Sequence, residues 1–228
     1  MKVRIKFSKK GPMKYIGHLD TQRYFQKLNR RAGIDVAYSE GYSPHQKMSF
    51  AQPLSVGVES EGEYFDLEIR SAYSSERLLS QYASCETEGI RVKDLVLLPG
   101  NAENAMASVR AADYEVRFRT GQECPFDLKE ALEEYAEAES WIMQKETKKG
   151  SREIDLKELV NSFSLSGEGV LSLRLCAESG SNVKPGQFIG SLYERKGFAF
   201  DPFCLLITRM ELLGKDLRPL IEAGEHFS

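Results

Sequence analysis

At 228 residues, 41% apolar and 29% charged, the chain has the composition of an ordinary globular protein, with room for two small domains or one large one. A formal charge of −3 excludes a global basic field, so any nucleic-acid site must be a local patch. No apolar run approaches the ~20 residues that span a bilayer, and strand-like alternation from Met1 leaves no signal peptide, so a cytoplasmic protein without a membrane partner is expected.

Val3, Ile5 and Phe7 alternate with Lys2, Arg4 and Lys6, the pattern of a half-buried first strand. A helix is expected from about Leu19 to Ala32. At ~100° per residue, Thr21, Tyr24, Phe25, Leu28 and Ala32 share one side, while Asp20, Arg23, Lys27, Arg30 and Arg31 share the other. Gly33 ends it. A short strand at Ile34–Tyr38 leads into a turn-rich loop from Ser39 to Ser49, then extended chain at Ala51–Val58 and a strand at Gly62–Arg70. Ser74 or Ser75 caps a helix carrying Leu78, Leu79 and Tyr82, and a strand at Ile90–Leu97 stops at Pro99-Gly100. The order is β-α-β-β-α-β, a split βαβ arrangement.

The pattern then starts again. Asp113–Thr120 alternates as a strand, and Asp127 with Glu130 forms a capping signature ahead of Leu128, Ala131, Leu132 and Tyr135. Strands are expected at Trp141–Thr147, Arg152–Ser166 and Gly169–Ala177. Pro185 opens a helix bearing Phe188, Ile189 and Leu192, and Cys204–Leu212 is an apolar strand. The tail from Leu213 reads as one short helix and a frayed end. The expected fold is α+β, with two tandem ferredoxin-like (βαββαβ) domains built on antiparallel sheets. The domains are 1–100 and 113–228, joined by an Ala-, Asn- and Ser-rich linker at 101–112.

Cys85, Cys124, Cys176 and Cys204 are scattered without CxxC spacing, which argues against zinc, redox and iron–sulfur sites. A Walker loop, a strand-linked GxGxxG and a GxSxG are missing too, so no cofactor is expected. Functional polarity concentrates between Gly17 and Ser49. His18 stands at the helix start, where free N–H groups favour anions, and the loop adds Glu40, Tyr42, His45, Lys47 and Ser49. The candidate substrate-binding set is therefore His18, Asp20, Arg23, Lys27, Arg30, Arg31, Glu40, Tyr42, His45, Lys47 and Ser49, expected to converge on one concave surface. A secondary basic patch comprises Lys145, Lys148, Lys149 and Arg152, and Lys9, Lys10 and Lys14 form a third basic feature. Such cations would track a phosphate backbone, with Tyr15, Tyr38 or Tyr42 stacking unpaired bases. His18 and His45 are candidate acid and base on an RNA 2′-hydroxyl. A metal site from His18, Asp20 and His45 has the right ligand types but no supporting spacing, and none is assigned.

Residues 7–69, FSKKGPMKYIGHLDTQRYFQKLNRRAGIDVAYSEGYSPHQKMSFAQPLSVGVESEGEYFDLEI, resemble the opening of the radical SAM-linked family, a bacterial domain of unknown function. The stretch KKGSREIDL at 148–156 is also similar. The resemblance carries over no catalytic residues. It implies a companion of a cobalamin-binding radical SAM protein, encoded beside it or fused to it. The implied role is that of an accessory module handling RNA (tRNA or rRNA), inactive alone, and the lack of cluster-ligating cysteines fits that division of labour. Two alternatives stay open: a metal-independent RNA endonuclease using His18 and His45, and a purely protein–protein adaptor.

Overall fold

The computed structural model describes residues 1–147 and 150–228, so Lys148 and Lys149 of the secondary basic patch lie outside the described residues. The fold is α+β with a mostly antiparallel sheet, and the chain divides into two compact units, 1–110 with 209–228, and 111–208.

The first unit contains β1 (Lys2–Lys9), α1 (His18–Arg31), β2 (Met48–Phe50), β3 (Glu59–Glu68), α2 (Ser75–Ala83), β4 (Ile90–Leu97) and α3 (Ala105–Ser108). Strand β1 lies between β3 and β4, antiparallel to both: Ile5 sits opposite Phe65 on one side and Leu95 on the other. Strand β2 pairs antiparallel with β3. The inward residues Val3, Ile5, Phe7, Phe65 and Leu67 meet Phe25 and Leu28 of α1 and Leu78 and Tyr82 of α2 in one core. Its centre is aromatic, with Phe7 and Phe25 in edge contact at 4.6 Å and Phe50 stacked on Phe65 at 5.0 Å. The expected sides of α1 are largely observed, although Tyr24 is only partly buried and Asn29 is fully so. Gly33 follows the helix at φ +67°, a conformation that costs any residue with a Cβ.

Three expectations change in this unit. Residues 34–38 make only single bridges, Val36 to Ile69 and Tyr38 to Gln46, because β2 already occupies the edge of β3 from Phe65 to Leu67. The linker expected at 101–112 is packed structure: Ala105 and Val109 are buried, and the N–H of Ala105 donates to the Asp66 carboxylate at 2.8 Å. The tail is not frayed. Residues 209–228, expected with the C-terminal half, belong to the first unit. There Leu220 is buried, Glu225 bridges to Leu97, and Phe227 exchanges hydrogen bonds with Ser75.

The second unit contains β5 (Ala111–Phe118), α4 (Leu128–Glu137), β6 (Ile142–Thr147), β7 (Gly150–Asp155), β8 (Val160–Leu165), β9 (Leu171–Cys176) and α5 (Pro185–Arg195). Strand β10 (Leu205–Leu213) gives this unit its residues 205–208 and the first unit the remainder. Strand β9 runs antiparallel between β5 and β8, while β6 and β7 pair as a separate two-stranded sheet. The single strand expected over Arg152–Ser166 is broken at a 3-10 turn, Leu156–Glu158. Burial of Leu156 forces the break: its N–H donates to the Trp141 carbonyl, and its own carbonyl accepts the Tyr135 hydroxyl. Asp127 caps α4 by accepting from the N–H groups of Lys129 and Glu130, while the Glu130 carboxylate turns outward to Lys196. Among the described residues no helix is long and apolar enough to cross a membrane, and no cluster of His, Cys, Asp and Glu could hold a metal ion.

Candidate functional site

The apolar side of α1 is fixed by the core, which turns Arg23, Lys27 and Arg30 to solvent as a ridge. Arg23 bonds Asp20 at 3.3 Å, and Arg31 donates to the Cys85 carbonyl at 3.1 Å. Lys27 and Arg30 form no ion pair among the described residues. Other cations of the same unit behave differently: Lys2 pairs with Asp66, Lys6 with Glu211, Lys10 and Lys93 with Glu61, and Lys14 with Glu59. The Lys9, Lys10 and Lys14 feature is therefore no free basic surface, since Lys10 and Lys14 are paired and Lys9 is buried.

The loop from Ser39 to Lys47 leans on α1 through a buried relay. The Tyr82 hydroxyl donates to Asn29 Oδ1 at 2.8 Å, Asn29 Nδ2 donates to Gln46 Oε1 at 2.9 Å, and Gln46 Nε2 donates to the Gln26 carbonyl at 3.0 Å. Gln26 stands three residues after Arg23 and four before Arg30, so the loop abuts the side of the helix that carries both arginines. Its tip presents Glu40 and a fully exposed Tyr42. His45 is exposed, with Nδ1 2.8 Å from Ser39 Oγ. Lys47 pairs with Glu68 at 3.2 Å, and Ser49 sits half-buried on β2 opposite Asp66.

His18 lies elsewhere. It opens α1, its ring meets Phe50 edge-on at 5.4 Å, and it lines a small pocket with Lys9 and Glu63. Gln26, where the loop is anchored, is eight residues or about 12 Å further along the helix. His18 and the anchor point of the His45-bearing loop therefore lie on different turns of α1. In the second unit, Lys145 donates to the carbonyl and side chain of Asn182, and Arg152 donates to the Gly180 carbonyl at 2.7 Å. Burial and the neighbouring Arg152 push the Lys145 amine below its ordinary value. These two cations brace a loop.

Glu63 and its partner Arg209 escape a reading of the sequence, where Lys9 reads only as part of a basic feature. Lys9 is 2% exposed, Glu63 5% and Arg209 2%. Both Glu63 oxygens are held by Arg209, one at 2.7 Å, and Arg209 also donates to Gln52 at 3.1 Å. Burial pushes the Lys9 amine below its ordinary value; Glu63 pulls the other way and Arg209 adds to the fall. One signal was present: Lys9 continues the inward parity of Val3, Ile5 and Phe7.

The chain is thus an α+β protein with an exposed cationic ridge, an internally braced tyrosine- and histidine-bearing loop, and a separate pocket over buried charges. It belongs to a family described as an uncharacterized protein conserved in bacteria (DUF2344), matched over residues 2–185. No protein with a curated description matches it.

Proposed function

We propose that this chain is an RNA-recognition accessory protein, inactive alone, that presents a tRNA or rRNA segment to a cobalamin-binding radical SAM enzyme. The observation that carries the RNA reading is the ridge of Arg23, Lys27 and Arg30, with Lys27 and Arg30 exposed and forming no ion pair among the described residues, standing next to a braced loop whose Tyr42 is fully exposed. Cations without internal partners exchange counterions for phosphates, and an exposed aromatic ring supplies a platform for an unpaired base. The partner rests on the resemblance of residues 7–69 alone. The strand pairings support a finer fold reading of two ferredoxin-like halves, with orders β4-β1-β3-β2 and β10-β5-β9-β8 and a two-stranded sheet inserted in the second. An endonuclease is less favoured, because His18 and the His45 loop sit on different turns of α1.

The test is fluorescence anisotropy with labelled tRNA and rRNA fragments. Three engaged cations on a single strand predict a salt slope of about −2, so affinity falls roughly 20-fold between 50 and 200 mM salt. The double variant Arg23→Glu, Arg30→Glu should lose binding while keeping its melting temperature. Salt-independent binding, or none, removes the RNA reading. Capture of a radical SAM enzyme by a protein that binds no RNA would leave the adaptor reading.

A further inference from the structure

The pocket over the buried charges has a chemistry of its own, independent of whether the ridge binds RNA. Lys9 is 2% exposed, and its ammonium group carries three N–H donors. It donates to the Ile16 carbonyl at 2.7 Å, and it forms no ion pair among the described residues. Glu63 favours the charged amine but is shared, since both of its oxygens are held by Arg209. The formal charges of Lys9, Glu63 and Arg209 sum to +1, and a buried excess of positive charge is relieved when the amine loses its proton or an anion arrives.

Lys9 lines a cavity of ≈ 20 Å³, with His18, Gln52 and Glu63 among its other polar walls and Phe50, Pro53 and Leu54 among its apolar ones. That volume admits about one oxygen-sized atom. Leu19 and Val56, close in the chain to His18 and Leu54, are large apolar side chains exposed to solvent. We propose that this pocket binds a small monocarboxylic acid with an apolar body, one carboxylate oxygen entering the cavity toward Lys9 and the carbon skeleton resting on the apolar rim. A free phosphate ion, with four oxygens and no apolar surface, suits the same space poorly.

Benzoate is the probe, with its neutral isostere benzamide and inorganic phosphate as controls, all titrated into the full chain. The readouts are the NMR shifts of the His18 ring protons and isothermal calorimetry in buffers of different ionisation enthalpy. Benzoate should shift His18 saturably and bind at least tenfold more tightly than benzamide or phosphate. At alkaline pH its binding should take up protons, because the carboxylate favours the charged form of Lys9. Lys9→Met should abolish saturable binding, and Leu54→Trp, which narrows the mouth and leaves the charges in place, should weaken it. If Lys9→Met fails to fold, the wild-type comparison and Leu54→Trp decide. Benzamide or phosphate binding as tightly as benzoate, an unmoved His18, absent proton uptake, or a folded Lys9→Met variant that binds normally would each overturn the assignment.

Discussion

Asn29 shows how one buried polar residue couples the core to the candidate binding surface. It is fully buried on α1, and its amide accepts from Tyr82 of α2 and donates to Gln46 of the loop. Asn29→Leu would leave a buried hydroxyl and a buried amide oxygen without partners, at about 1–3 kcal/mol for each such group. Urea unfolding should therefore show a loss of at least about 2 kcal/mol, and the backbone amides of residues 39–47 should exchange faster than in the wild type. Tyr82→Phe strips only the donor to Asn29 and should cost about 1 kcal/mol. Lys9 makes a pH-dependent contribution of definite sign. Its folded-state value lies below the ordinary 10.5, so between the two the unfolded chain binds more protons and stability rises with pH. Denaturation midpoints of the wild type should thus climb relative to Lys9→Met as pH approaches 10.5, and a constant difference between them would contradict the burial of a charged amine.

Helices in this chain are held at their ends as well as along their faces. Asp127 satisfies two of the four free N–H groups of α4, so Asp127→Ala should destabilise the second unit by about 1 kcal/mol in chemical denaturation. Ser74 satisfies one such group of α2, the Arg77 N–H. These caps, and the helical periodicity behind them, made α1, α2, α4 and α5 legible in the sequence, as alternation did for β1 and β5. Elements whose existence depends on distant partners were not legible. β2 is three residues long and α3 four, too short for either period to register. Residues 34–38 have strand-like composition, yet the edge they would join is occupied by β2. The same limit applies to the candidate site. Periodicity alone exposed the ridge of Arg23, Lys27 and Arg30, because it is a property of one helix. The pocket stayed hidden because Arg209 reaches Glu63 from 146 positions away, and no local pattern marks that pairing.

That long return of the chain dictates how the molecule should behave when divided. Residues 1–110 carry every helix of the first unit named above, but the unit is completed by 209–228. Arg209 is the ion-pair partner of the buried Glu63, and Glu211 accepts the Tyr64 hydroxyl at 2.7 Å and pairs with Lys6. Leu212, Leu213 and Leu220 from the same segment are buried. Removing the partner of a buried ion costs about 3–5 kcal/mol, and the lost leucines add about 1.5–3 kcal/mol each. Together these come to about 7.5–14 kcal/mol, comparable to the roughly 5–15 kcal/mol that holds a typical domain folded. A fragment of residues 1–110 should therefore lack dispersed amide resonances and a cooperative thermal transition, despite ending at an apparent domain boundary. Adding a peptide of residues 205–228 should restore both, and the same peptide with Arg209→Met should restore them less, because Glu63 would remain unpaired. Residues 111–208 are contiguous and carry a core of their own around Tyr135, Trp141 and Phe188, so that fragment should unfold cooperatively by itself. A fragment of 1–110 that folds unaided would mean that the returning strand adds little to the first unit, and that the buried Glu63–Arg209 pair is dispensable for its fold.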